Sequence, residues 1–137
     1  MTSDPPQQAP NPWGDTSTPY LELGGDAGVR RLATTFYATV DDEAPELRAM
    51  LPHRLDGSIT KFYEYLSGWL GGPELYVAKR GHPRLRMRHL PFPIGGFEVE
   101  EWLRCMGITL DRLEVEGRLR SFLDERFATV ARHMQNQ

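Results

Sequence analysis

A single cysteine, Cys105, stands in 137 residues, so no intramolecular disulfide can form. A reducing compartment is expected. No apolar run approaches the ~20 residues a membrane-spanning helix needs. Residues 1–10 contain no basic segment followed by an apolar one, so no secretory signal is expected there. Excess positive charge is also missing: the formal net charge is -3, against the basic balance of general nucleic-acid binders. Neither HExxH nor a Cys/His zinc spacing occurs, and there is no P-loop and no nucleophile elbow. The expectation is a cytoplasmic, soluble protein whose partners include neither nucleic acid nor membrane.

What is present suits one globular core. Hydrophobic residues make up 39% of the chain and charged residues 26%, an ordinary balance for a single domain. Residues 1–18 are rich in Pro, Gln, Ser, Thr and Asp. They read as a disordered leader with at most a docked Trp13, ahead of a domain at 19–137. From there the periodicity is helical. Asp26, after Gly24-Gly25, is expected to cap a helix whose face carries Val29, Leu32, Phe36 and Val40. Pro45 opens a short turn that Pro52 closes. A helix over 58–70 carries Ile59, Phe62, Leu66 and Trp69 or Leu70, and Gly71-Gly72-Pro73 stops it. Two long helices follow, one with Val99, Trp102, Met106 and Leu110, the other with Leu119, Leu123, Phe127 and Met134. No stretch alternates long enough for a strand, so the class is all-α.

The stretch 81–94 holds the most telling histidine. With Pro83 at the first helical position, Leu85 and His89 share a face, and Pro91 and Pro93 stop the helix. Such a stub presents a neutral imidazole nitrogen to a haem iron, and it equally suits a buried histidine bonded to backbone. Tyr37 and Trp102 each bring an aromatic donor to an inward face. Either each finds a backbone carbonyl, or both serve a polar ligand in the core. Ser58 and, one turn later, Phe62 lie at the start of the middle helix. Lys79, Arg80, Arg84, Arg86 and Arg88 form the basic cluster. It reads as a partner for cofactor carboxylates, as a phosphate or nucleic-acid patch, which the missing P-loop and interleaved aromatics disfavour, or as a solvated face. His82 is expected at a helix cap, His53 in a loop, His133 near the end of the last helix, and Cys105 as an inert core thiol.

Together Gly24-Gly25, the run 68–73, the run 81–89 and Trp102-Leu103-Arg104-Cys105-Met106 resemble a group II truncated haemoglobin. The resemblance spans residues 20–134. It implies a truncated globin, a two-over-two helical sandwich, with haem b as cofactor and His89 as the proximal iron ligand. It further implies Tyr37 and Trp102 as distal donors, Ser58 at the distal gate, Phe62 as an apolar wall, and Arg86 or Arg88 at the haem propionates. Where the class usually carries tyrosine, histidine or phenylalanine after the short third helix, this chain has Leu51, or Met50 if the gap falls one residue earlier. Leucine donates no hydrogen bond, so one neutral bond of about 1 kcal/mol is lost and ligand release is expected to speed about fivefold to tenfold.

The resemblance implies binding of dioxygen, NO and CO, with slow oxygen release that suits chemistry or sensing better than bulk oxygen transport. Redox catalysis is the alternative, as NO dioxygenation or peroxidase-like turnover with an unidentified reductase. A cofactor-free helical interaction module is the third reading. The expected oligomeric state is a monomer or weak homodimer.

Overall fold

The computed structural model describes residues 17–137, and the expected leader with its Trp13 therefore falls almost wholly outside the described residues. The described residues form eight helices in order: α1 (Pro19–Leu23), α2 (Gly25–Glu43), α3 (Pro45–Ala49), α4 (Asp56–Trp69), α5 (Leu75–Arg80), α6 (Leu85–His89), α7 (Gly96–Arg112) and α8 (Gly117–Met134). No strand occurs among the described residues. The all-α expectation holds.

Local chemistry sets the boundaries. Thr18, counted with the leader on composition, is the N-cap of α1: its hydroxyl accepts from the Leu21 N–H at 3.1 Å, satisfying one of the orphan donors of a helix start. Gly24 ends α1 in the left-handed region, at φ 115, and begins α2. Asp26 is therefore not the cap expected of it. It lies in the first turn of α2, where its carboxylate accepts from Arg30 at 2.9 Å and from the Tyr63 hydroxyl of α4. Gly28 is buried where α1 meets α2, and a Cβ there would lie 2.1 Å from the Leu23 carbonyl oxygen. Only glycine fits that approach. At α7, Glu98 reaches back to accept from the Gly95 N–H at 2.8 Å, half of a capping box.

Two other features depart from the sequence reading. Pro83 does not open α6, because Arg84 intervenes at φ 48 and serves as the N-cap. A left-handed residue cannot continue a right-handed helical path, so α6 shrinks to five residues. The cap expected of His82 falls to Arg84 instead; His82 lies two residues before it, and its Nδ1 accepts from the Arg84 N–H at 3.3 Å. The short α5 was not expected at all: only Tyr76 of its six residues is buried, too little to make a periodic stripe.

Two helix pairs, α2 with α4 and α7 with α8, join through the packing of α2 on α7. Val29, Leu32, Phe36 and Val40 of α2, Leu66 of α4, Met106 and Leu110 of α7, and Leu123 and Phe127 of α8 fill the shared core. Each predicted stripe thus supplies it. Where α2 crosses α7, a polar pair is buried. The Thr109 hydroxyl donates to the Cys105 carbonyl at 2.7 Å and contacts the Thr39 hydroxyl at 3.2 Å, while Arg112 donates to Thr39 at 3.0 Å. Cys105 is fully buried, and burial pushes its thiol pKa up, which makes a poor nucleophile. No helix among the described residues is long and apolar enough to cross a membrane.

Candidate metal centre

α2, α4 and α7 bring three of the sequence-singled residues together. The Tyr37 and Phe62 rings lie 5.9 Å apart at 86°, and Phe62 and Trp102 lie 6.3 Å apart at 77°. Phe36 fills the centre, 5.3 Å from Tyr37 and 5.0 Å from Trp102. Edge-to-face geometry of this kind fixes ring orientation as well as burying apolar area. Leu51, just beyond α3, packs against the same core, whereas Met50 forms the C-cap of α3. Ser58 sits in the first turn of α4 and is half-buried.

Both polar atoms of this cluster lack a protein partner. Neither the Tyr37 hydroxyl nor the Trp102 indole N–H makes a hydrogen bond among the described residues. Both side chains are half-buried, and a donor withdrawn from water without a partner costs about 1–3 kcal/mol. Burial also pushes the Tyr37 phenol up to about 12, because the low-dielectric interior disfavours the phenolate. At any working pH the hydroxyl remains a donor.

His89 supplies the opposite chemistry. Its Nδ1 lies 2.6 Å from the Leu85 carbonyl oxygen, one turn back in α6. A carbonyl only accepts, so Nδ1 carries a proton, and in the neutral ring Nε2 is then the nitrogen with the free lone pair. That is the tautomer of a metal-ligating imidazole, oriented by a backbone carbonyl. The ring's aromatic neighbour is Phe92 at 6.4 Å, and no bond or ring contact links His89 to Tyr37, Phe62 or Trp102. No group of three or more His, Cys, Asp or Glu among the described residues is placed to cage a metal. A lone histidine therefore suits a metal that arrives with ligands of its own, as tetrapyrrole iron does.

A cleft of about 460 Å³ opens between Tyr65 of α4, Leu85, Arg86 and Met87 of α6, and Val130 and Met134 of α8. His89, Tyr37 and Trp102 do not line it. An aromatic wall connects the two places: Trp102 packs on Phe127 at 5.6 Å, Phe127 on Trp69 at 4.8 Å, and Trp69 on Tyr65 at 6.3 Å. Sequence reasoning treated Trp69 and Phe127 as stripe residues and missed Tyr65. The four-residue step from Tyr65 to Trp69 was the available signal.

The basic cluster is divided in space. Lys79 and Arg80 both pair with Glu64, at 3.2 and 2.8 Å, and the Glu64 side chain is only 9% exposed. Arg86 donates to the carbonyls of His133 and Gln135 at 2.8 and 2.9 Å. Arg88 donates its Nε to the Pro83 carbonyl at 2.7 Å and makes no ion pair among the described residues. Arg84, Arg86 and Arg88 are exposed.

A two-over-two helical sandwich with one oriented imidazole and two unpaired aromatic donors has the makings of a globin. The bacterial-like globin family matches residues 18–136. Group 2 truncated hemoglobin YjbI of Bacillus subtilis is 40% identical over 121 residues, covering 88% of this chain and 90% of that protein. The cold-adapted truncated hemoglobin from the Antarctic marine bacterium Pseudoalteromonas haloplanktis superposes with a TM-score of 0.86 at 46% identity, covering 88% of this chain and 99% of that one. The truncated oxygen-avid haemoglobin from Bacillus subtilis superposes at 0.83 with 40% identity, covering 88% and 100%. The chain belongs to the group II truncated haemoglobins, within the bacterial-like globins. Globins carry haem and bind diatomic gases at its iron, and that general activity extends to this chain. The unpaired donors and the His89 tautomer fit such a cofactor.

Proposed function

We propose that this chain binds dioxygen and related diatomic ligands at a haem b held by His89, and releases oxygen slowly. The observation that carries the reading is the pair of unpaired donors, Tyr37 Oη and Trp102 Nε1, in an otherwise apolar ring cluster. Haem, when bound, supplies an iron with an open coordination position. The remaining work falls to the protein. His89 Nε2 holds the metal, and the Leu85 carbonyl keeps the ring in its ligating tautomer. Tyr37 and Trp102 donate to the negative end of a polarised diatomic ligand, each bond worth about 1 kcal/mol. Phe62 excludes water from that face, Ser58 leaves room at the entry, and Leu51 offers no donor. Arg88, whose terminal guanidinium nitrogens make no bond among the described residues, is the less engaged candidate partner for a propionate; Arg86 lines the cleft but is committed to the end of α8. The oxygen-avid character named for the Bacillus subtilis haemoglobin agrees with two-donor retention.

The reading is tested by reconstituting the protein with haem and recording its visible spectrum, then following oxygen release by stopped flow. A Soret band that disappears in His89→Ala and an oxygen release accelerated in Tyr37→Phe are expected. A Soret band unchanged in His89→Ala would overturn it. Single-turnover reaction of the oxygenated protein with NO, set against steady-state peroxide turnover, separates ligand retention from redox catalysis. Partnership with a reductase, a cytoplasmic location and a monomeric or weakly dimeric state accompany the proposal.

A further inference from the structure

α6 carries the histidine on which the haem reading rests, yet little in α6 itself holds it in place. The helix has five residues, none of them buried, and it starts from a left-handed Arg84 with no side-chain cap. Its packing neighbour is α8. The Nδ1 bond from His89 to Leu85 spans one helical turn, so it survives only while the carbonyl end of α6 keeps its helical register. A five-residue helix does not keep that register unaided.

The segment after α8 provides the missing restraint. Asn136 donates its side-chain amide to the Phe92 carbonyl at 3.0 Å and, more loosely, to the His89 carbonyl at 3.4 Å. Its side-chain oxygen accepts from the Ile94 N–H at 3.0 Å, and its own N–H donates to the Ile94 carbonyl at 2.8 Å. One amide side chain therefore satisfies three backbone groups across 89–94. Arg86 answers from the other side, donating to the His133 and Gln135 carbonyls at the end of α8, where helix carbonyls lack intrahelical partners. The two sets of bonds tie α6 to α8 at both its middle and its end.

We propose that Asn136, assisted by Arg86, is the positioning residue of His89: it fixes the carbonyl end of α6 and so the direction of the Nε2 lone pair. The inference rests on the haem reading above. The chemistry calls for an amide. Aspartate has the same shape, but it would set a second acceptor against the Phe92 and His89 carbonyls where an N–H₂ is required.

The test uses the full chain loaded with haem, comparing the parent with Asn136→Asp and Arg86→Ala. The readouts are the iron–histidine stretching band of the ferrous, ligand-free protein by resonance Raman and amide hydrogen exchange at 85–94. Asn136→Asp is expected to shift or broaden the band and to speed exchange at 85–94 about tenfold, leaving the α2 amides of 29–40 unchanged. Arg86→Ala is expected to produce a smaller change of the same kind. An unaltered band with unaltered exchange overturns the proposal. So does exchange that rises equally in α2, since that reports general destabilisation rather than positioning. A chain without a Soret band fails at the haem reading instead, and exchange at 85–94 in that haem-free chain still reports on the latch.

Discussion

Replacing Tyr37 with phenylalanine removes one oxygen atom and little else. The ring keeps its contacts with Phe36 at 5.3 Å and Phe62 at 5.9 Å, so no cavity opens. What changes is the unpaired hydroxyl. An unsatisfied buried polar group costs about 1–3 kcal/mol, and Tyr37 is partly exposed, so the low end applies. The ligand-free protein is therefore expected to gain about 1 kcal/mol from Tyr37→Phe, a rise of about 0.5 M in the urea midpoint for a chain of this size. On the proposed reading the same oxygen donates to the bound ligand, and its removal is expected to speed oxygen release about fivefold. Urea titration followed by circular dichroism measures the first effect and stopped flow the second. Opposite signs are the signature of a hydroxyl kept for a ligand rather than for the fold. A lowered urea midpoint would show that the hydroxyl already has a partner and would refute the reasoning. An unchanged release rate would show that it does not reach the ligand.

If residue 51 faces the ligand as proposed, Leu51→Tyr adds a donor there, and oxygen release is expected to slow about fivefold to tenfold; a rate equal to the parent's counts against a distal place for residue 51. Glu64→Gln leaves Arg80 and Lys79 without their shared carboxylate and is expected to cost about 1–2 kcal/mol, since both cations are partly solvated. Burial pushes the Glu64 carboxyl up, but the hydrogen bonds from Arg80 and Lys79 outweigh it and leave the pKa below the usual carboxylate range. A lowered folded-state value stabilises above about pH 4.5, and that contribution is lost as pH falls. The gap in thermal midpoint between parent and Glu64→Gln should therefore close on acidification; a gap constant from pH 7 to pH 3 would reject this account.

The long helices were legible because each repeats its apolar residues at helical spacing: Val29, Leu32, Phe36 and Val40 are all buried as read. Tyr37, Phe62 and Trp102 were legible for the same reason, since periodicity says which face a side chain occupies even when it does not say what it meets. Three things were hidden, each for a physical cause. α5 is less than two turns long, so it has no period to detect. The left-handed Arg84 carries no signature, because an arginine at positive φ is held there by its surroundings rather than by its own preference. The pairing of Lys79 and Arg80 with Glu64, and of Asn136 with the backbone of 89–94, joins positions 15 to 47 residues apart. Such contacts follow from how helices pack, which local sequence does not encode.

The buried threonine pair at the α2–α7 crossing works as an index mark. Thr39 stands two residues beyond Tyr37 on α2, and Thr109 stands two helical turns beyond Trp102 on α7. Sliding one helix past the other by a single turn, about 5.4 Å, would separate the two hydroxyls and pull Arg112 from Thr39. Apolar side chains tolerate small slips, because one methyl contact resembles the next; hydrogen bonds do not. The spacing between the two aromatic donors is thus calibrated from about 3 Å away along α2 and about 10 Å away along α7. A valine at position 39 or 109 would keep the volume and erase the mark.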